Sequence, residues 1–280
     1  MLPFTLGGDP EFEVRDASGK VIPAFNLFEG KQATFGEAGK GILEYRTPDG
    51  QDDKNEYNMN YRKYLHTRIG VDGDVNKLEL RPLPAESAKD FARNFKSLVV
   101  EFHAKYPGLQ LHVVSDKVSL GGHLHFGMYK PMTPSASVLR MLDDILGKRV
   151  LPLSGKFREQ SKYYKLSAYE TKSWGFEYRT PPAAIFYSPD TLMEASMNFF
   201  EGLNTLHIIM GMSKEEFMAL DKTPELTPEK YDSYVVKENI ISFSDFYKRS
   251  TDYKLSIEFW KAMEVHGCKG DIIPNWLEEV

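Results

Sequence analysis

Cysteine is almost absent from this chain of 280 residues, since Cys268 is the only one. An intrachain disulfide is therefore excluded, and a reducing compartment fits this composition. Long hydrophobic runs are missing as well: no window approaches the ~20 apolar residues that a membrane-spanning helix needs. The first residues, Met1 to Gly8, lack the basic start and the apolar run of a signal peptide. We therefore expect a cytoplasmic protein with no membrane partner.

An excess of positive charge is the third absence. The 35 Lys and Arg residues against 40 Asp and Glu residues give a net charge of −5, and this mild acidity argues against a general nucleic-acid binder. The hydrophobic share of 41% and the charged share of 27% are ordinary for a globular protein. We predict a single domain over 1–280, with a catalytic sheet core over 1–188 and a mainly helical portion over 189–280.

Four short segments repeat one pattern, in which a single apolar residue separates two ionisable residues. The segments are Glu11-Phe12-Glu13, Glu79-Leu80-Arg81, His123-Leu124-His125 and Glu177-Tyr178-Arg179. On a β-strand this spacing places both ionisable side chains on one face and the apolar one on the other. Because burying unpaired charge is costly, such a face needs partners. A cluster of metal ligands with phosphate-binding arginines meets that need, so the pattern predicts an enzyme that uses a metal and a phosphorylated substrate.

The order of secondary-structure signals favours an α+β fold on a mainly antiparallel sheet, because strands dominate the first half, helices follow, and βαβ repetition is weak. Strand patterns lie at Thr5–Arg15, Lys20–Phe28, Gly41–Arg46, Asn76–Arg81, Leu109–Ser115, Leu120–Met128 and Trp174–Thr180. Helix patterns lie at Tyr57–Arg68, from an N-cap at Ser87 to Lys105, and at Ser135–Leu146, Asp190–Met212, Pro228–Glu238 and Tyr253–His266.

The acidic pair and the histidine pair each allow more than one interpretation. Glu11 and Glu13 are oxygen ligands of the kind that magnesium prefers, but the solvated edge of an antiparallel sheet carries such residues too. His123 and His125 lie between glycines that permit close approach of a ligand. Imidazoles suit zinc and, when protonated, bind phosphate; core histidines bonded to backbone are the simpler interpretation.

The arginine-bearing segments and a later basic stretch point to anions. Arg81 and Arg179 each follow a glutamate by two positions, a spacing that serves either to grip phosphate or carboxylate or to form a structural ion pair. Within 149–165, Arg158, Lys162 and Lys165 are candidates for a clamp on the phosphates of a nucleotide. The alternative for this stretch is a solvated charged surface.

The order of these motifs resembles the carboxylate–amine ligases of the glutamate–cysteine ligase and glutamine synthetase superfamily. An acidic pair, Glu-x-Arg, Gly-Gly-His-x-His-x-Gly and Gly-x-Glu-x-Arg-x-Pro follow one another as they do in the phage-type amidoligase (COOH–NH2 ligase) family. Gly8-Asp9-Pro10-Glu11-Phe12-Glu13 and Leu27-Phe28-Glu29-Gly30-Lys31 are also similar to that family. The resemblance runs from about Leu6 to about Pro182.

The resemblance implies a catalytic domain of glutamine synthetase/glutamate–cysteine ligase type, with an antiparallel sheet bent into a half-barrel, helices on its outer face, and ATP and Mg²⁺ as cofactors. The implied metal set is Glu11, Glu13, Glu79 and Glu177, with a metal or phosphate contact from whichever of His123 and His125 faces the site. Arg179, beside Glu177, would hold the transferred phosphate or the acyl phosphate, and Arg81 would bind a substrate carboxylate or a phosphate. The polar stretch 46–68 departs from the larger relatives and leaves the substrates open.

We therefore expect an ATP- and magnesium-dependent ligase that joins a small-molecule or peptide carboxylate to an amine through an acyl phosphate. Three alternatives stay open: a guanidino-type or other small-molecule kinase on the same fold, a zinc-dependent hydrolase that uses His123 and His125, and a non-catalytic virion or complex component. The sequence is compatible with a homo-oligomer. If the gene belongs to a phage, the expected location is the host cytoplasm.

Overall fold

The structure, a computed structural model, describes residues 5–29, 68–71, 76–127, 133–159, 161, 164–199 and 251–278. The predicted strand at 41–46 and the predicted helix at 228–238 lie outside these residues, as do nearly all of the predicted helix at 57–68 and Lys162. None of the helices in the described segments has the length and hydropathy that crossing a membrane requires.

Within the described residues, nine strands form two sheets, and every pair among these strands is antiparallel. The first sheet has the order β1-β7-β9-β8; the second has the order β3-β2-β5-β4, and β6 also pairs with β2. The strands are β1 (Thr5–Gly8), β2 (Glu11–Arg15), β3 (Val21–Ile22), β4 (Ile69–Val71), β5 (Lys77–Leu80), β6 (Gln110–His112), β7 (Leu124–Gly127), β8 (Tyr169–Lys172) and β9 (Gly175–Tyr178). The predicted α+β class with a curled antiparallel half-barrel is confirmed.

The helices connect the strands and follow them. They are α1 (Asn26–Glu29), α2 (Ala88–Lys105), α3 (Ala136–Leu142), a π-helical turn (Asp143–Gly147), α4 (Lys148–Val150), α5 (Lys156–Glu159), α6 (189–199), α7 (Thr251–His266) and α8 (Ile273–Leu277), with 3₁₀ turns at Leu151–Leu153 and Ala183–Phe186. Ser87 caps α2 by accepting a hydrogen bond from the Asp90 amide, which is the N-cap that the sequence predicts. Part of the predicted strand at 20–28 is instead helix α1.

The apolar residues at the centre of the four sequence segments face the core. Phe12, Leu80, Leu124 and Tyr178 have no exposed surface. Helix α2 packs on this side of the sheets, where the ring of Phe95 stacks 6.0 Å from that of Phe12. Helix α8 packs on α2 in turn, with Trp276 edge-on to Phe95 at 4.8 Å. Burial of these large side chains is the main stabilising contribution, and it fixes which side of each strand carries the ionisable residues.

The two sheets meet where β1 passes into β2. Asp9 and Pro10 make this connection, and the Glu11 amide donates a hydrogen bond to the Gly121 carbonyl oxygen at 2.9 Å. Gly121 and Gly122 lie just before β7, and a Cβ on Gly122 would lie 2.3 Å from the Pro182 carbonyl oxygen. The close backbone approach therefore requires glycine there. It brings the start of β7 alongside β2 and joins the ionisable sides of both sheets.

Candidate active site

Strand register places the ionisable residues of both sheets on a common side. Glu11 lies opposite Glu79, and Glu177 lies between His125 and Glu170, and residues directly opposite each other in antiparallel strands share a face. We call the resulting surface the charged face. Its acidic members are Asp9, Glu11, Glu13, Glu79, Glu170 and Glu177, and its basic members are Arg15, Lys77, Arg81, His123, His125, Lys172 and Arg179.

The centre of the charged face is a group of two carboxylates and one imidazole. His123 Nδ1 lies 3.2 Å from Asp9 Oδ1 and 3.0 Å from Glu177 Oε1. One ligand atom from each of these residues lies within 4.8 Å of the other two. His123 and Glu177 are buried, whereas the Asp9 side chain is 19% exposed. Asp9 is thus the member of this group that a ligand can reach.

Ionisation of the central group is strongly perturbed. Burial alone lowers the pKa of His123, but hydrogen bonds to Asp9 and Glu177 outweigh burial and raise its pKa to about 10. Burial raises the pKa of Glu177, yet His123 and His125 lower it to about 2. The pKa of Asp9 also falls well below its usual value, because the two histidines overcome the effect of burial. The group therefore consists of an imidazolium between two carboxylates at neutral pH.

His125 adds a second imidazole beside Asp9. Its Nε2 atom lies 3.1 Å from Asp9 Oδ1, but the geometry does not make an aligned hydrogen bond, so this buried nitrogen lacks a hydrogen-bond partner. The ring of Trp174 lies against the His125 ring, with 4.9 Å between centroids. An imidazole nitrogen directed at a carboxylate without a good hydrogen bond is available to a ligand of the site.

Cations border Glu177 on its other side. Lys172 Nζ lies 2.8 Å from Glu177 Oε2 and 3.0 Å from Glu170 Oε1. Arg179 Nε lies 3.2 Å from Glu177 Oε1, and a terminal nitrogen of Arg179 donates to Glu170 Oε2 at 2.9 Å. Both cationic side chains are more than 20% exposed. They compensate the buried carboxylate and also face solvent, where an anionic ligand can approach.

The carboxylates of β2 and β5 extend the charged face from the centre. Glu11 accepts a hydrogen bond from the Gly121 amide at 2.6 Å and pairs with Lys77 at 3.1 Å. Glu79 is paired with Arg81, whose guanidinium also donates to the Val71 carbonyl oxygen at 3.0 Å. Glu11 contributes to the raised pKa of His123, which places it beside the central group.

Glu13, predicted as a metal ligand, lies at the far end of the charged face. Arg15 holds one of its carboxylate oxygens at 2.5 Å, and Ser115 donates to the other. Arg15 and Ser115 line a second cavity of about 590 Å³. Glu13 lies on the same strand face as Glu11, as predicted, but its contacts are with residues that line the second cavity and not with the central group.

Among the predicted nucleotide-binding basic residues, Arg179 borders the central group, whereas Arg158 and Lys165, the described candidates of the stretch 149–165, make other contacts. Arg158 is 2% exposed, and its guanidinium donates to the carbonyl oxygens of Arg179, Thr180 and Pro181 at 3.0–3.3 Å. It therefore supports the end of β9 from beneath. The Lys165 side chain is exposed, and its carbonyl oxygen accepts a hydrogen bond from Thr180.

A cavity of about 570 Å³ opens beside the central group. Asp9 and His125 form its inner edge, and Arg81 and Lys172 contribute positive charge. Its size is typical of small-molecule sites. A ligand of small-molecule size in this cavity can therefore reach the carboxylate of Asp9.

Sequence reasoning missed Asp9 and Lys172. Asp9 precedes Glu11 by two positions, so the alternation in the acidic pair already extends to Asp9, but Pro10 interrupts the strand pattern. Lys172 belongs to β8, which pairs with β9 across a short turn at Ser173 and Trp174. The spacing of Glu170 and Lys172 repeats the charged–x–charged pattern, and that spacing is the signal that identifies this strand.

Comparison with known families matches residues 67–198 to the family described as Phage phiEco32-like COOH.NH2 ligase-type 2. The phage-type amidoligase family predicted from the motif order is therefore confirmed over these residues. The matched segment contains Glu79, His123, His125, Glu177 and Arg179. No curated protein matches the chain.

Proposed function

We propose that this chain, whose residues 67–198 belong to the phage-type COOH–NH2 ligase family, is an ATP- and Mg²⁺-dependent ligase that joins a carboxylate to an amine. The observation that carries the proposal is the group of Asp9, His123 and Glu177, held at the centre of a charged face and bordered by Lys172 and Arg179. Carboxylates for metal ions and exposed cations for phosphate are the two components that phosphoryl transfer needs. The glutamine synthetase-like form of the half-barrel is part of this proposal.

The donor atoms fit a magnesium ion. Asp9 and Glu177 supply carboxylate oxygens that lie within 4.8 Å of one another. Mg²⁺ prefers oxygen ligands, usually one or two carboxylates with water and phosphate oxygens. Glu11 and Glu79 are the next carboxylates along the face. When bound, magnesium neutralises charge on the phosphates of the nucleotide. We leave Glu13 out of this set because it lies at the far end of the charged face, where it is paired with Arg15 and Ser115.

The proposed reaction has two steps. A carboxylate oxygen of the first substrate attacks the γ-phosphorus of ATP, the bond to the bridging oxygen breaks, and an acyl phosphate and ADP form. The amine of the second substrate then attacks the acyl carbon, the carbon–oxygen bond to phosphate breaks, and inorganic phosphate leaves with the amide formed. Protons lost by the amine pass to phosphate and solvent.

The residues of the chain act mainly by position and charge. Arg179, anchored by Glu170 and Glu177, presents a planar guanidinium at the edge of the site, where it stabilises negative charge on the transferred phosphoryl group. His123 keeps the two central carboxylates together through its hydrogen bonds. Arg158 holds the backbone that carries Arg179. Fixed charges in a largely buried site act without reorganising solvent.

The test is ADP release across mixtures of carboxylates and amines, with the product identified by mass spectrometry. We expect ADP formation to require both substrates and an amide to accumulate, and Glu177→Gln to abolish both. Glu86→Gln, at an exposed position, is the matched control and should retain activity. A phosphorylated product without an amide would instead show the kinase. No ADP from any mixture, despite nucleotide binding, would contradict the ligase assignment.

A zinc-dependent hydrolase is the second candidate, and one observation favours it. Two imidazole nitrogens, His123 Nδ1 and His125 Nε2, lie within 3.2 Å of Asp9 Oδ1, and imidazole with carboxylate is a common zinc ligand set. Metal analysis separates the candidates. The ligase should contain little tightly held metal and regain activity with magnesium after chelation. Stoichiometric zinc that is lost in His125→Ala would favour the hydrolase.

A further inference from the structure

The cavity beside the central group combines three kinds of surface. Trp174 and Pro82 form apolar walls, Lys172 and Arg81 add positive charge, and Asp9 lies at the inner edge. A cavity with an apolar wall at one side, cations next to it and metal-binding carboxylates at the inner edge suits a ligand that has a planar apolar end and an anionic end. Of the residues predicted for nucleotide phosphates in the stretch 149–165, the structure describes Arg158 and Lys165, and neither lines this cavity.

We propose that this cavity is the nucleoside triphosphate subsite, with the base against Trp174 and the phosphates along Lys172 towards Asp9. The proposal rests on the proposed function, since it assigns a place and an orientation to the nucleotide of that reaction. Trp174 and Lys172 bind the two ends of the nucleotide: Trp174 contacts the base, and Lys172 contacts the phosphates.

Trp174 is suited to the base because of its placement. Its ring lies beside His125 at 4.9 Å between centroids, which fixes its orientation, and the residue is partly exposed to the cavity. A fixed, partly exposed indole presents a flat surface on which a planar base can stack. Trp174 lies in the turn between β8 and β9, two residues after Lys172 and three before Glu177.

Lys172 is suited to phosphate because it lies between the aromatic wall and the carboxylates. Its ammonium contacts Glu177 and Glu170 at 2.8 and 3.0 Å, while 29% of the side chain stays exposed. A phosphate oxygen in the cavity can therefore be bound by Lys172 next to a metal ion on Asp9 and Glu177.

The floor of the cavity is glycine. A Cβ on Gly7 would lie 3.4 Å from His125 Cβ, which is an ordinary contact. Gly7 lies opposite His125 in the β1–β7 pairing, so a side chain at position 7 projects on the charged side. A Cβ is accommodated there, and a larger side chain would extend from it into the cavity that Gly7 lines. Gly7→Val is thus a way to block the subsite that leaves Trp174 and Lys172 in place.

The experiment compares ATP with inorganic tripolyphosphate, both with magnesium, by calorimetry on the full chain. Trp174→Ala should weaken ATP binding about tenfold and leave tripolyphosphate binding unchanged, because only ATP carries a base. Lys172→Met should weaken both ligands by at least about tenfold. Gly7→Val should remove ATP binding. Lys89→Met, an exposed lysine on α2, is the matched control and should bind as the wild type does.

Intrinsic fluorescence gives an independent readout. Of the three tryptophans, Trp260 and Trp276 are buried with 2% and 0% exposure, so Trp174 is the one that a ligand in the cavity can contact. ATP with magnesium should change the emission of the wild type but not that of Trp174→Phe, which still binds ATP by calorimetry. Melting temperatures confirm that each variant is folded.

The possible failures are distinguishable. Wild-type binding of ATP with unchanged affinity in Trp174→Ala and Gly7→Val would overturn the subsite and leave the ligase proposal standing. Equal weakening of ATP and tripolyphosphate in Trp174→Ala would overturn the assigned orientation. Absence of any ATP binding by the wild type would instead contradict the proposed function itself.

Discussion

His123 is the residue on which the electrostatics of the site depend. It lies between Asp9 and Glu177 in a largely buried position. Because few water molecules reach these carboxylates, keeping them ionised without a counter-charge would cost free energy. The imidazolium supplies the missing counter-charge, and its pKa of about 10 is the consequence. A magnesium ion on the same carboxylates would supply counter-charge in the same way. The metal-free protein is therefore the state in which the proton on His123 matters most to folding.

Stability of the metal-free protein should depend on pH through His123 and Glu177. The folded-state pKa of His123 is raised from 6.5 to about 10, so its contribution is complete below pH 6.5 and is lost as the pH rises through about 10. The pKa of Glu177 is lowered from 4.5 to about 2, so its contribution is complete above pH 4.5 and is lost as the pH falls through about 2. Both contributions are complete between pH 4.5 and pH 6.5, so the melting temperature measured in EDTA should be highest in that range.

The variants that test this dependence are His123→Gln and His103→Gln. His103 is an exposed residue of α2 and serves as the control, which should keep the alkaline fall in melting temperature. His123→Gln should be less stable at neutral pH and should approach the wild type as the pH rises. An identical alkaline fall in wild type and His123→Gln would show that another group controls it.

Arg179 has two roles that a single substitution can separate. Arg179→Lys keeps the positive charge and loses the planar fork that contacts two oxygens at once. If Arg179 acts on the transferred phosphate, turnover should fall at least about a hundredfold, since one lost transition-state contact costs about 3 kcal/mol. Its ion pairs with Glu170 and Glu177 are partly exposed, so the melting temperature should change little. Turnover and melting temperature are measured on one preparation.

The result that contradicts this role is also defined by the two measurements. A lower melting temperature with normal turnover by the folded fraction would make Arg179 a structural partner of the glutamates. Arg93→Lys, an exposed arginine paired with Asp90 on α2, is the control and should leave both quantities unchanged.

At the scale of elements, strand pairing sets the geometry of the site. His125 and Glu177 lie opposite each other only because β7 and β9 are in the observed register, and a slip of β9 by one residue would turn Glu177 to the apolar side. Gly175 marks the end of this pair. It lies opposite Gly127, and a Cβ at position 175 would lie 1.8 Å from the Phe126 carbonyl oxygen. The two strands approach so closely there that only glycine fits.

Gly175→Ala should therefore destabilise the protein by at least about 2 kcal/mol, because the strands must separate to admit the methyl group. Chemical denaturation measures the loss. Gly7→Ala lies in the same sheet, and its added Cβ would meet only ordinary contacts, so this control should retain nearly all stability. Equal stability of Gly175→Ala and Gly7→Ala would show that β7 and β9 are less closely paired than observed.

The same elements show what the sequence could predict. The alternation in Glu11-Phe12-Glu13 and Glu177-Tyr178-Arg179 predicted which side of each strand is charged, because large apolar residues must be buried and neighbours in a strand point to opposite faces. The cap at Ser87 and the extent of α2 also followed from local signals. The periodicity of apolar residues predicts which side of a strand or helix is buried. The features predicted correctly are therefore those that depend on a single helix or strand.

At the scale of the whole molecule, sequence reasoning was incomplete because distance between elements is a tertiary property. Glu13 has the same spacing as Glu11, but the pairing of β6 with β2 brings Ser115 to it and gives it a separate environment. Arg158 belongs to a basic stretch that suggests phosphate, yet the fold buries it beneath β9. Asp9 entered the centre because the two sheets join at Asp9 and Pro10. Local spacing indicates the face on which a residue lies, but it does not give these distances between elements.

The joining of the sheets also yields a prediction for the whole molecule. Asp9 comes from the connection between β1 and β2, His123 from the start of β7 and Glu177 from β9, so a ligand that binds all three residues joins three separate segments of the chain. Ligands that bind only the folded state stabilise it, by about 2.7 kcal/mol at a hundred times the Kd. For a chain of this size that corresponds to a rise in melting temperature of about 5–10 °C. ATP and magnesium added together should produce this rise, measured by calorimetric melting.

The separate additions decide what the rise means. Magnesium alone should have a smaller effect, because two carboxylates leave most of its coordination to water and phosphate, and ATP with EDTA should have almost none. Glu177→Gln should lose the joint effect while Glu86→Gln keeps it. A rise with zinc alone, matched by no response to ATP and magnesium, would contradict the magnesium–nucleotide site and favour the hydrolase, because zinc can complete its shell with the imidazoles of His123 and His125 and the carboxylate of Asp9.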